Sequence, residues 1–258
     1  MKQRLYSQLA EIEDIHWAFV HRRNLVDGLL SKLNINKFSK GLDIGCGTGG
    51  NLKFLEKYCC SVTGLDISEV ALDFARRKCP DYKFVRGDAN YLANLFSPKS
   101  FGFISIFNVL YHEWIKDDLS VLMQCNKVLM PGGILVVTES AFNILNRKHD
   151  RQAMGKRRYK LSSFRKMLRD SGFTVLSDTY YNALSFVPAL ILAFLDIMIP
   201  DQKDRVSENA YVKELQIPVN SINNLVSFLM NIETKAIKIL PKLPIGVTLL
   251  CIARKNNS

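Results

Sequence analysis

The stretch Leu42-Asp43-Ile44-Gly45-Cys46-Gly47-Thr48-Gly49-Gly50 decides how this chain is read. A short apolar strand runs directly into a string of glycines, which let the backbone turn tightly and approach a ligand with no Cβ in between. Gly45, Gly47 and Gly50 satisfy G-x-G-x-x-G, a pattern that allows a dinucleotide site. Asp43, Gly45, Gly47 and Gly49 equally satisfy D-x-G-x-G-x-G. The acid ahead of the first glycine favours the second pattern, because a carboxylate there repels phosphates and suits an ammonium or sulfonium group.

Working outward, apolar strands alternate with helical stretches from Lys40 onward. Strands are predicted at Gly41–Ile44, Ser61–Leu65, Tyr82–Arg86, Phe101–Phe107, Gly133–Thr138, Phe173–Tyr181 and Gly246–Ala253. Helices are predicted at Gly50–Tyr58, Ser68–Lys78, Leu119–Leu129 and Ser162–Asp170, the last stopped by Gly172. This alternation specifies an α/β fold with a doubly wound, mostly parallel seven-stranded sheet. One domain is expected: an N-terminal helical cap over 1–36, a core over 37–182, a helical insertion over 183–244, and the last strand with its tail over 245–258. The cap is expected as one helix over Glu11–Leu33, with Leu25, Val26, Leu29, Leu30 and Leu33 on its apolar face.

With 258 residues, 48% of them apolar and 23% charged, the chain can bury a large core and is not a disordered or fibrous protein. A formal net charge of +11 points to an anionic partner. Ten of the basic residues lie between Arg147 and Arg169, where the only acid is Asp150. The six cysteines form no C-x-x-C and no metal-finger spacing with histidine, which predicts a reduced, cytoplasmic chain without a structural metal. No secretory signal is read at the N-terminus, where Glu11, Glu13 and Asp14 follow closely. The apolar window Leu184–Leu195 reads as a cap helix packed on the sheet; the alternative is a face that touches a bilayer. Pro188 and Asp196 argue against a membrane span.

Over Lys40–Thr138 the motifs, taken in order, resemble the class I S-adenosylmethionine-dependent methyltransferases, and more closely their ubiquinone/menaquinone-methylase-like group. The resemblance implies S-adenosylmethionine as cofactor, with Asp43, Gly45, Gly47 and Gly49 forming the loop around its methionine end. Asp66 would hold the ribose hydroxyls, Ile67 would lie on the adenine face, and Asp88-Ala89 would meet the adenine edge. The segment Phe107-Asn108-Val109-Leu110-Tyr111-His112 would place Asn108 near the methionine end and Tyr111 and His112 near the acceptor, where His112 can serve as a base. Met130-Pro131-Gly132-Gly133 matches the family's turn before the fifth strand.

Outside that core, His16-Trp17-Ala18-Phe19-Val20-His21-Arg22-Arg23 resembles an H-x-W-F-x-x-R-R element of bacterial members, with Ala18 at the tryptophan position. It implies that Arg22, rather than Arg23, clamps the cofactor carboxylate. His149, Arg157, Arg158 and Tyr159 resemble a second element of those relatives, and are expected to bind a small or lipid- or sugar-linked, anionic acceptor. A nucleic-acid acceptor is not expected, because stacking aromatics are sparse there. The function expected from this resemblance is S-adenosylmethionine-dependent methyl transfer by in-line displacement; the alternatives are a nicotinamide-dependent oxidoreductase and a non-catalytic cofactor-binding module. Peripheral membrane contact also remains open.

Overall fold

The structure is a computed structural model describing residues 3–147, 150, 154–198, 220–240 and 242–256. In chain order the elements are α1 (Gln3–Ile12), α2 (Trp17–Lys32), β1 (Phe38–Ile44), α3 (Leu52–Leu55), β2 (Cys59–Asp66), α4 (Glu69–Lys78), β3 (Lys83–Arg86), α5 (Leu92–Leu95), β4 (Phe101–Phe107), α6 (Asp118–Val128), β5 (Leu129–Ser140), α7 (Leu161–Asp170), β6 (Phe173–Tyr181), α8 (Phe186–Met198), α9 (Asn220–Ile239) and β7 (Thr248–Lys255).

The strands form one seven-stranded sheet in the order β3-β2-β1-β4-β5-β7-β6. The first five strands are parallel, and β7 runs antiparallel between β5 and β6. β4 is buried at every position, consistent with its unbroken apolar run. One apolar cluster on the sheet contains Leu122 of α6 and Phe164 and Leu168 of α7. The other contains Leu25, Leu29 and Leu30 of α2. Strand order reverses between β1 and β4, and α/β sheets bind ligands at the carboxyl ends of the strands beside such a point.

Each predicted strand is present, with edges shifted by a few residues. Met130-Pro131-Gly132-Gly133 forms a bulge: Phe101 pairs with Leu129 but Phe103 with Ile134, and Gly132 takes φ +72°. The single N-terminal helix is corrected to two. His16 ends the break between them, and its Nδ1 accepts a hydrogen bond from the amide of Ala18 at 3.2 Å as the N-cap of α2. The helix expected over Gly50–Tyr58 shrinks to the four residues of α3. The apolar window Leu184–Leu195 does not pack down as expected. Ala193 is its only buried residue, while Phe194 is 61% exposed.

Candidate active site

A cavity of about 380 Å³ opens at the carboxyl ends of β1, β2, β3 and β4, with α1 and α2 over it. The glycine turn forms its floor. The amides of Gly45 and Cys46 both donate to the Leu65 carbonyl, at 2.7 and 3.0 Å. Gly45 has φ +70°, and a Cβ there would lie 2.4 Å from the Val109 side chain, so only glycine fits. Gly47, at φ +55°, is the opposite case: nothing lies within 4 Å of a Cβ built on it, which leaves its backbone open to a ligand. Gly49 completes the turn at φ +92°, and its amide donates to Cys46 O at 2.9 Å. Cys46 is buried and its thiol is pushed up by that burial, so it is not a ready nucleophile.

Asp66 ends β2 and locks the turn to the next helix. Its Oδ2 accepts from the Gly47 amide and its Oδ1 from the Ser68 amide, both at 2.9 Å. Burial raises its pKa, and these backbone bonds work against the rise. Ile67, Asp88 and Ala89 line the same wall. Asp88 Oδ1 accepts from the Asn90 amide at 2.8 Å and from Asn90 Nδ2 at 2.6 Å.

The far end of the cavity carries polar atoms with nothing to bond. Arg22 is 9% exposed, with its guanidinium 5.4 Å from the Phe19 ring centre and 4.9 Å from that of Phe107. Its Nη2 donates to Asn51 Oδ1 at 3.1 Å, but its Nε has no partner. Thr48 Oγ1, in the glycine turn, is buried without a partner. Behind the turn, Asp43 Oδ1 accepts from Ser105 Oγ at 2.7 Å, while Oδ2 is buried and unbonded. Burial pushes Asp43 up to about 6, partly countered by the Ser105 bond and the Arg22 charge. An orphaned cation edge, hydroxyl and carboxylate oxygen within one small region are complementary to the carboxylate and ammonium of an amino-acid moiety.

The β4 exit forms the opposite rim. Asn108 has φ +59°, its amide donates to Thr138 O at 2.8 Å, and Thr138 Oγ1 donates to its Oδ1 at 2.9 Å. Tyr111 and His112 line the cavity beside it. His112 stacks on Trp114 at 4.5 Å, and its Nδ1 is buried without a partner. Burial lowers its pKa, so the neutral, proton-accepting imidazole is favoured.

Holding this rim is Glu139, at the end of β5, which the sequence reading did not single out. It is fully buried, and its carboxylate accepts from the amides of Val109, Leu110 and Tyr111 at 3.0, 2.7 and 3.2 Å. Burial pushes it up to about 8 despite those three bonds. A signal for it existed, since an acid ends the apolar run of β5 as Asp66 ends that of β2. Tyr6, Leu9 and Glu13 also line the cavity unforeseen. Leu5, Leu9 and Ile12 already carry helical spacing in the sequence, and Glu13 is held by Lys78 at 2.7 Å.

The expected anion-binding pair is engaged by groups of the protein itself. Arg157 donates to the carbonyls of His112 and Lys116 at 3.2 and 3.3 Å. Arg158 holds both oxygens of Asp150, at 2.8 to 3.2 Å, and the Ala141 carbonyl at 2.9 Å. Tyr159 is buried, its hydroxyl shared with Leu110 O and Asp118 Oδ2. These residues brace the rim from behind rather than face the cavity, where Arg22 is the only lysine or arginine among the described residues. His149 lies outside the described residues. No cluster of His, Cys, Asp or Glu suited to a metal occurs among the described residues.

The sheet order and flanking helices form a Rossmann-like fold. Residues 42–137, from β1 to β5, match the methyltransferase domain family. The demethylmenaquinone methyltransferase of Staphylococcus epidermidis is 35% identical over 119 residues, which span 44% of this chain and 48% of that protein. The chain thus spans about half the length of the curated relatives it matches. Among solved structures, a provisionally named sarcosine dimethylglycine methyltransferase from Galdieria sulphuraria superposes with TM-score 0.61 at 17% identity, covering 99% of this chain and 98% of that one. Phosphoethanolamine N-methyltransferase 2 of Haemonchus contortus, in complex with S-adenosyl-L-methionine, gives TM-score 0.55 at 18% identity over 90% of this chain and 52% of that one.

Proposed function

We propose that this chain is an S-adenosylmethionine-dependent methyltransferase acting on a small or lipid-linked acceptor. The observation that carries the reading is the set of unbonded buried atoms on Arg22, Asp43 and Thr48 around an open glycine turn. Arg22 and Thr48 would hold the cofactor's carboxylate, Asp43 its ammonium group, Asp66 the ribose hydroxyls and Asp88 the adenine amino group. The bound cofactor supplies a methyl group on a positively charged sulfur, displaced in line with a neutral thioether leaving.

The protein's own contribution is alignment and exclusion of water. Glu139 fixes the amides of Val109, Leu110 and Tyr111, and Thr138 fixes Asn108, so the rim reaches the reaction in a set geometry. Tyr111 and Trp114, beside His112, make the acceptor rim aromatic, which suits an apolar or planar acceptor. His112 Nδ1 takes the proton when that acceptor is a hydroxyl. The oxidoreductase alternative loses support from the loop. A pyrophosphate needs a helix N-terminus behind the glycines, and α3 has only four residues. Glu13 and Asp43 would add repulsion.

Titration calorimetry tests the reading. S-adenosylhomocysteine should bind and NAD should not. Asp66→Ala should weaken binding roughly ten- to a hundredfold, from two ribose bonds worth about 1.5–3 kcal/mol. Tight NAD binding with no S-adenosylhomocysteine binding refutes it. Incubation of cell extracts with labelled cofactor, followed by mass spectrometry, would identify the acceptor.

A further inference from the structure

We infer that α8 and α9 form a docking surface for an anionic lipid bilayer. Two apolar stripes are exposed among the described residues. After Leu184, α8 exposes Val187, Ile191, Phe194 and Met198 at three- and four-residue steps. In α9, Ile222, Leu225, Phe228 and Ile232 repeat the same spacing. The two helices are tied at one junction: Glu233 of α9 accepts from the amides of Asn182 and Ala183, the turn that leads into α8, at 2.5 and 2.8 Å. Behind the stripe, Met230, Glu233, Thr234 and Ile237 are the buried residues of α9. The helix is therefore anchored on one face and bare on the other. Scattered exposed leucines need no explanation, but two such stripes on helices tied through one turn do.

Charge decides which occupant fits. No described exposed residue of α8 or α9 is acidic. Asp196, the acid of α8, is turned to Arg147 at 3.3 Å. The α9 stripe ends at exposed Lys235, and exposed Lys242 follows the helix. Apolar side chains flanked by lysines match the boundary between acyl chains and anionic headgroups, where lysine stems lie along the apolar region and the ammonium groups meet phosphates. A second copy of this chain fits less well, since its own lysines would face these across the interface. No helix among the described residues is long and apolar enough to cross a membrane, so the contact is with the surface.

The location gives the contact a use. α9 packs along α2, where Asn223 Oδ1 accepts from the Trp17 amide at 3.3 Å and Thr234 Oγ1 lies 3.2 Å from His21 Nδ1. Phe19 and Arg22 of the same α2 line the cavity. A bilayer held by α9 would therefore lie near the helix that covers the cavity. Only this last step rests on the proposed methyl transfer; the surface itself does not.

The test is flotation of the full-length protein with vesicles of phosphatidylcholine, or of equimolar phosphatidylcholine and phosphatidylglycerol. The protein should float with the anionic vesicles, and less so as salt rises. Phe194→Ser with Phe228→Ser should lower vesicle affinity roughly tenfold or more. Lys235→Glu with Lys242→Glu should remove the preference for anionic lipid. Unchanged circular dichroism and unchanged S-adenosylhomocysteine affinity in these variants separate this result from any failure of the cofactor reading. A protein that stays in the aqueous fraction with both vesicle types overturns the inference. So does a dimer by light scattering that the two-phenylalanine variant converts to monomer, because the face would then be a contact between copies.

Discussion

Glu139→Ala removes the acceptor that three consecutive amides share at the β4 rim of the cavity. The Leu110 amide is fully buried, and those of Val109 and Tyr111 are partly buried. A buried donor without a partner costs about 1–3 kcal/mol, and a half-buried one less, so the alanine variant should lose about 2–5 kcal/mol. Part of that loss depends on pH. Glu139 titrates in the folded protein at about 8, above its ordinary value near 4.5. A carboxyl raised by folding contributes stability that is fully present below its unfolded pKa and is lost as pH rises through the folded one. The penalty for Glu139→Ala should therefore be largest near pH 5 and shrink toward pH 8. Glu139→Gln retains one oxygen for Val109 and Leu110 but sets a donor-only NH₂ against the half-buried Tyr111 amide, which loses its acceptor. It should cost only about 1 kcal/mol and flatten the decline between pH 5 and 8. Urea unfolding across this range gives the stabilities, and hydrogen exchange of amides 109–111 gives the local effect. An alanine variant within about 0.5 kcal/mol of the parent at pH 5, with those amides still protected, would refute the role assigned to Glu139.

Two further outcomes follow from the same site. Asp43 is raised to about 6 by burial, and an ammonium group placed at its free oxygen favours the charged form, so cofactor binding near pH 6 should release a proton. Calorimetry in buffers of different ionisation enthalpy measures this, and zero release would remove Asp43 from the ammonium site. For His112, burial lowers the pKa, so with a hydroxyl acceptor the acid limb of the rate profile should fall below the usual imidazole value of ~6.5. His112→Ala should cost about a hundredfold or more in kcat and abolish that limb, while an unchanged profile assigns the limb elsewhere.

The sequence alone determined the sheet and the floor of the site. Strands of β-branched and aromatic residues, helices with their own caps and stops, and glycines required at positive φ are local demands. Each can be read within a few positions of the residue concerned. Gly45 and Gly47, for example, adopt left-handed conformations that the residue type already announced. Asp66 and Asp88 fall where strand ends bring them to the cavity.

Tertiary packing decided the rest, because the energies involved depend on partners distant in the chain. Arg22 and Arg158 look alike as members of basic motifs. One is sealed between Phe19 and Phe107 with an orphaned nitrogen, while the other is neutralised by Asp150. No spacing rule distinguishes them, since the distinction is which carboxylate or carbonyl each finds. Glu139 became the support of the rim because β5 delivers it, some thirty positions downstream, beneath three amides of the β4 exit. The apolar window at 184–195 was plain in composition. Whether it faced core or solvent depended on what packed against it: Ala193 is buried and Phe186 meets Phe142, while Val187, Ile191 and Phe194 stay exposed among the described residues. Hydrophobicity states that a surface needs cover; only the assembled chain shows whether it has received any.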